Sequence, residues 1–186
     1  MDFEQQKDNQ MNRKDPSNEG KWDDAIAGVC EKLNKDKRYY TTSSCSGRIV
    51  LIKSLPDKAE NVFLFKSHDK ITFLKLKKEL ERISKEYKGR VDFKQETCIV
   101  VCACKTLEDA QELLDKFKFA GWKRSGIMAS RKRIILECMS TEYMSLPIMD
   151  KGKILVDDSY LKLIVKEANN KLERVREKIE KIEAGI

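Results

Sequence analysis

Apolar residues recur with a helical period in four stretches of the chain. In "WDDAIAGVCEKLNKD", Trp22, Ile26, Val29, Cys30 and Leu33 share one face and predict a helix. In "DKITFLKLKKELERISKEYKG" the face is Phe73, Leu76, Leu80, Ile83 and Tyr87, and Gly89 stands where such a helix can end. "TLEDAQELLDKFKFAG" predicts a third helix, with Thr106 placed to cap it, Asp109 three residues on, and Gly121 just past its end. The fourth, about residues 158–184, carries Leu161, Val165, Ala168, Leu172, Val175, Ile179 and Ile182 at spacings of fours and threes behind Asp157 or Asp158 as cap. A coiled-coil seam has the same spacing. Three heptads are short for one, so a long helix laid across a sheet is the expectation.

Strand patterns fill the intervals. "RIVLIKS" and "ENVFLFKSH" read as a pair joined by the hairpin loop "LPDKAEN". "VDFKQETCIVVCAC" reads as a strand rich in β-branched residues, and "SGIMAS", "KRIILECMS" and "GKILV" as further strands. "STEYMSLPIMDKG" reads as irregular, or as an edge strand broken by Pro147. Helices and strands mix without strict βαβ alternation. The expected class is α+β: a single domain with a mixed, largely antiparallel sheet flanked by helices and a long C-terminal helix. Residues 1–20 are polar and read as a mobile arm, residues 21–186 as the domain. Each half offers helix and strand-pair material, but no residue-level repeat relates them.

Composition narrows the function classes. Charged residues make up 37% of 186 residues, and Lys and Arg outnumber Asp and Glu by 38 to 31, for a net charge of +7. That excess favours an anionic partner such as nucleic acid, although many soluble proteins are as basic and bind nothing of the kind. No apolar run approaches the roughly 18 residues of a membrane span, and the start lacks the apolar core of a secretion signal. A cytoplasmic protein with reduced thiols is expected. The six cysteines include the cluster "CIVVCAC". On one continuous strand, Cys98 and Cys104 stand about 20 Å apart, too far to share a tetrahedral metal. His68 is the single histidine, so a multi-histidine metal site within one chain is excluded. No metal is expected, and the thiols read as buried.

Two polar stretches carry the candidate chemistry. In "YYTTSSCSGRIVL", Thr42, Ser43, Ser44 and Ser46 offer hydroxyls, Gly47 a backbone freedom that a side chain would forbid, and Arg48 a planar fork for carboxylate or phosphate. The stretch can form a cradle for a small anionic ligand, or a solvated turn whose serines cap neighbouring backbone; physics alone leaves both open. Cys45 is a candidate nucleophile, for which His68 at the end of the next strand is the only imidazole base. If the two strands pair, His68 arrives beside the serine turn. In "GWKRSGIMASRKR", Trp122 can stack on a base or pack in the core. Lys123, Arg124, Arg131, Lys132 and Arg133 can meet phosphates or line a solvated hairpin loop.

"YYTTSSCSGRI" resembles the signature of the tRNA wybutosine-synthesizing protein 3 family. The likeness continues through "LFKSH", "LEDAQELL", "AGWKRSGI", "STEYMSLPI", "DKGKILV" and "YLKLIVKEANNKLE", about Arg38 to Glu183. The resemblance implies methyl transfer from S-adenosylmethionine to N4 of the tricyclic demethylwyosine-type base beside the anticodon of phenylalanine tRNA. It implies that Thr42–Arg48, with Ser125 and Gly126, bind cofactor or substrate. Under it, His68, with Asp69 second, becomes the general base, and Trp122 with the neighbouring cations contacts tRNA. A non-catalytic tRNA-binding relative is the alternative, and an enzyme using Cys45 a remote third. Two departures stand out. Relatives often carry a histidine where this chain reads Val100, Val101 and Cys102, and no G-x-G-x-x-G follows a strand, so a Rossmann-type core is not expected.

Overall fold

The structure, a computed structural model, describes residues 2–12, 22–55, 61–129 and 133–186. The elements run α1 (Phe3–Met11), α2 (Asp24–Lys35), β1 (Tyr39–Cys45), β2 (Arg48–Lys53), β3 (Phe63–Ser67), α3 (Phe73–Glu86) and β4 (Val91–Glu96). There follow β5 (Ile99–Cys104), α4 (Leu107–Phe119), β6 (Gly126–Ala129), β7 (Ile134–Met139), β8 (Met144–Asp150), β9 (Lys153–Ile154) and α5 (Asp158–Gly185). The class is α+β with a long C-terminal helix, as the pattern implied. Two sheets replace the one expected, and every strand pairing among the described residues is antiparallel. Contacts cluster the chain into two compact units. Unit 1 is Met1–Ser46, Thr97–Thr141 and Val175–Ile186; unit 2 is Gly47–Glu96 and Glu142–Arg174.

In unit 1 the sheet order is β1-β5-β7-β6. Its core takes Ile26, Val29 and Leu33 from α2, Leu113 and Phe117 from α4, Val100 and Leu136 from the sheet, and Val175, Ile179 and Ile182 from the last turns of α5. The capping box at Thr106 and Asp109 is formed in both directions, and Gly121 has φ +95° just beyond α4. Trp122 lies fully inside this core, edge-on to Phe117 at 5.0 Å, with its indole N–H donating to the Lys178 carbonyl at 3.1 Å. The base-stacking role expected of Trp122 is therefore corrected: its ring has no exposed face.

Cys30, Cys98, Cys102, Cys104 and Cys138 belong to the same core, and Cys45 is half-buried. Burial pushes the Cys30 thiol up to about 11 and raises Cys138 as well; for Cys102 a hydrogen bond with Cys104 leads and burial adds to it. The expectation of buried thiols holds, although not on one continuous strand. The run 91–104 breaks at Thr97–Cys98, and its halves enter different sheets. At the break Thr97 shares a buried 2.6 Å hydroxyl–hydroxyl bond with Ser140.

Part of the expected arm is a helix. Asp2 caps α1 by accepting from the Gln5 N–H at 2.9 Å, and Phe3 meets Tyr40 at 5.2 Å between ring centroids. Lys7 donates to the Asp36 carbonyl at 2.6 Å. The helix buries none of its residues, so no apolar stripe announced it. Residues 13–20 of the arm lie outside the described residues.

In unit 2 the sheet order is β3-β2-β4-β8-β9. Ile49, Leu51, Phe93 and Ile148 from the sheet meet Leu76, Leu80 and Ile83 of α3, together with Leu161, Val165, Ala168 and Leu172 of α5. β2 and β3 pair as expected, with residues 56–60 of their loop outside the described residues. α3 ends at Glu86 on an extended Tyr87, before Gly89. Pro147 stands inside β8, opposite Asp92, next to a register shift. The β8–β9 ladder pairs only Met149 and Asp150, so that ladder asks no bond of Pro147, which has no N–H to give. Among the described residues, no helix is long and apolar enough to cross a membrane.

Two outcomes follow from this packing. Trp122→Ala is expected to destabilise by about 3–5 kcal/mol, read from denaturant unfolding. Iodoacetamide at neutral pH is expected to spare five of the six cysteines in the native protein and to modify all six after unfolding, read by intact mass.

Candidate functional site

The hydroxyl-rich stretch is an edge strand rather than a turn. β1 pairs with β5 from Tyr39 opposite Cys104 to Cys45 opposite Ile99. The register slips between Thr41 and Ser43, leaving Thr42 as the extra residue. Its hydroxyl donates to the Val101 carbonyl at 3.2 Å. Asn34 of α2 accepts from the Thr41 N–H at 2.7 Å and donates to its hydroxyl at 2.9 Å. Beyond this bulge Ser43 is exposed, Ser44 and Cys45 are half-buried, and Ser46 and Gly47 are buried. Gly47 has φ +87°, the conformation for which glycine was expected there.

Ser46 is held at its N–H, its hydroxyl and its carbonyl. Asp23 Oδ2 accepts from its backbone N–H at 2.9 Å and from its hydroxyl at 3.2 Å. Its carbonyl accepts a hydrogen bond from Nη1 of Arg176. Sequence reasoning missed both partners. Asp23 lies before α2 and Arg176 on α5, and only the folded chain brings them to Ser46.

In unit 2, Arg48 is already engaged. Its Nε lies 2.6 Å from Glu96 Oε2, directly across the β2–β4 ladder, and its guanidinium stacks over Phe63 at 4.6 Å. The expected uncommitted fork is thus corrected to one member of an ion pair that is about one-quarter exposed on each side. Gln95 beside it is fully buried; its Nε2 donates to the Glu96 carbonyl at 2.9 Å, and its Oε1 has no partner among the described residues. Ile49 pairs with Ser67, so the hairpin carries His68 to the Arg48 end of β2. Asp69 is exposed, and its backbone N–H and carbonyl bond the Ser67 hydroxyl.

The second polar stretch separates into anchor and surface. Ser125 donates to the Trp122 carbonyl at 2.6 Å and accepts from the Met139 N–H at 3.3 Å, so its hydroxyl shapes the loop before β6. Gly126 opens β6, is exposed, and has room for a Cβ. Lys123 and Arg124 are exposed. Arg133 is exposed and donates to Gln6 of α1 at 3.1 Å. Arg131 and Lys132 lie outside the described residues.

Comparison with known proteins shows the family. The family described as Methyltransferase TYW3 matches residues 5–186. A Thermococcus sibiricus protein named tRNA(Phe) 7-((3-amino-3-carboxypropyl)-4-demethylwyosine(37)-N(4))-methyltransferase is 38% identical over 175 residues, 92% of this chain and 87% of its own. A Danio rerio protein named tRNA wybutosine-synthesizing protein 3 homolog is 34% identical over 185 residues, 96% of this chain and 72% of its own. The solved structure of a Pyrococcus horikoshii protein matches with a TM-score of 0.87 at 30% identity, covering 99% of this chain and 95% of that one. The hydroxyl-rich signature, the α+β architecture and a match running almost from end to end agree, and the chain belongs to the Methyltransferase TYW3 family.

Proposed function

We propose that this chain methylates N4 of the demethylwyosine-type base of phenylalanine tRNA. The observation that carries this reading is the 38% identity, over 92% of the chain, to a protein named for that reaction. The methyl donor in this reading is S-adenosylmethionine, which when bound supplies an electrophilic methyl group on a sulfonium. Its methionine tail carries a carboxylate and an ammonium, and its ribose two hydroxyls. The donor set on this edge strand suits such groups: exposed Ser43 and half-buried Ser44 and Cys45 offer two hydroxyls and a thiol.

In this reading Ser43, Ser44 and Cys45 touch donor or modified base, and Arg48, committed to Glu96, does not. Thr42, Ser46, Gly47 and Ser125 shape the backbone around them, since their polar groups or conformations are already committed. Gly126 keeps the start of β6 bare for a close approach. His68 accepts the proton lost by the methylated ring nitrogen, with exposed Asp69 as the second candidate. Holding acceptor and methyl in line is the larger task, worth up to about 7–11 kcal/mol in well-oriented systems. Lys123, Arg124 and Arg133, with Arg131 and Lys132, meet tRNA phosphates.

The test is methylation of phenylalanine tRNA carrying the unmethylated precursor, followed by nucleoside mass spectrometry. A gain of one methyl group is expected. No gain, with a control enzyme active on the same tRNA, leaves the non-catalytic binder in its place. His68→Gln is expected to lower kcat by roughly 10²–10⁴-fold with the donor KM little changed. The double change Lys123→Ala with Arg124→Ala is expected to weaken tRNA binding and to reduce the log–log salt slope by about 2.

A further inference from the structure

We propose that Asp23 and Arg176 are positioning residues for the methyl donor, acting through Ser46; the inference rests on the reading above. Ser46 is fully buried, and its N–H, hydroxyl and carbonyl each bond a charged side chain. Charge-assisted bonds are roughly twice as strong as neutral ones, so a residue held by three of them is pinned at both faces of its peptide links. The two partners lie far from it in sequence, one before α2 and the other on α5. Ser46 directly follows Cys45, the last residue of β1 paired with β5. Pinning it fixes where Ser43, Ser44 and Cys45 present their side chains, while β5 fixes them along the strand.

Asp23 gives up an ordinary role to do this. It occupies the N-cap of α2 yet makes no side-chain capping hydrogen bond there. The other helices are capped by side chains: Asp2 on Gln5, Thr72 on Lys75, Thr106 on Asp109 and Asp157 on Tyr160. A cap contributes about 1 kcal/mol, so α2 forgoes a stabilisation within reach of Asp23 itself. The carboxylate is turned instead toward the one buried serine of the signature. A purely architectural aspartate at that position has a nearer use.

The experiment is steady-state methylation by the full chain with the donor titrated at saturating tRNA, paired with donor binding by calorimetry. Asp23→Ala and Arg176→Met are each expected to raise the donor KM and Kd about 10-fold or more, with the tRNA KM within about twofold. Asp23→Asn, which keeps an acceptor oxygen, and Arg176→Lys, which keeps a cationic donor, are expected to raise them only about threefold. A merely architectural role lowers the active fraction, and with it apparent kcat, but leaves the donor KM in place. Folded truncation variants with the wild-type donor KM overturn the proposal, as do conservative variants no better than the truncations. If Asp23→Ala does not fold, Asp23→Asn decides, and an unchanged donor KM in that variant overturns the proposal. A wild-type chain inert toward the tRNA is a different failure: it removes the methyltransferase reading, and the positioning role with it.

Discussion

One apolar stripe on α5 closes both hydrophobic cores. Leu161, Val165, Ala168 and Leu172 complete the core of unit 2, and Val175, Ile179 and Ile182 complete that of unit 1. Burying a large aliphatic side chain contributes about 1.5–3 kcal/mol, and small domains keep a net stability of only about 5–15 kcal/mol. The stripe is therefore comparable with the whole margin by which the chain stays folded. It also explains why heptad-like spacing here makes no coiled coil: the seam is spent within the chain, on two different sets of side chains.

Much of this was legible because it is local. The apolar faces of α2, α3 and α5, the capping box of α4 and the β2–β3 hairpin are each written in a short window of sequence. What escaped notice depends on distant partners or on the absence of a pattern. The run from Val91 to Cys104 is strand-like throughout, and nothing within it marks Thr97 as a break; the partner found there, through a buried hydroxyl bond, is Ser140, more than forty residues on. α1 has no buried residue and so leaves no periodic trace. Trp122 reads equally as platform or core until the Lys178 carbonyl is found at its indole nitrogen.

The signature stretch shows the same division at the site. Hydroxyls, glycine and arginine announced a polar site, but their jobs differ. Ser43 faces outward, Thr42 is spent on a bulge, Ser46 is enclosed, and Arg48 answers Glu96 across the ladder. Residue type indicates which chemistry is possible. Whether a group displays that chemistry or braces a neighbour is decided by partners such as Asp23 and Arg176, which composition does not single out.

The thiol-rich interior of unit 1 has its own consequence. Five cysteines are buried there as free thiols, and no native disulfide guides the chain back once it opens. Unfolding in air exposes all of them together, and oxidation can then join them in pairings that belong to no folded state. The protein's lifetime outside a reducing environment is governed by how often it opens, and less by how stable it is while closed.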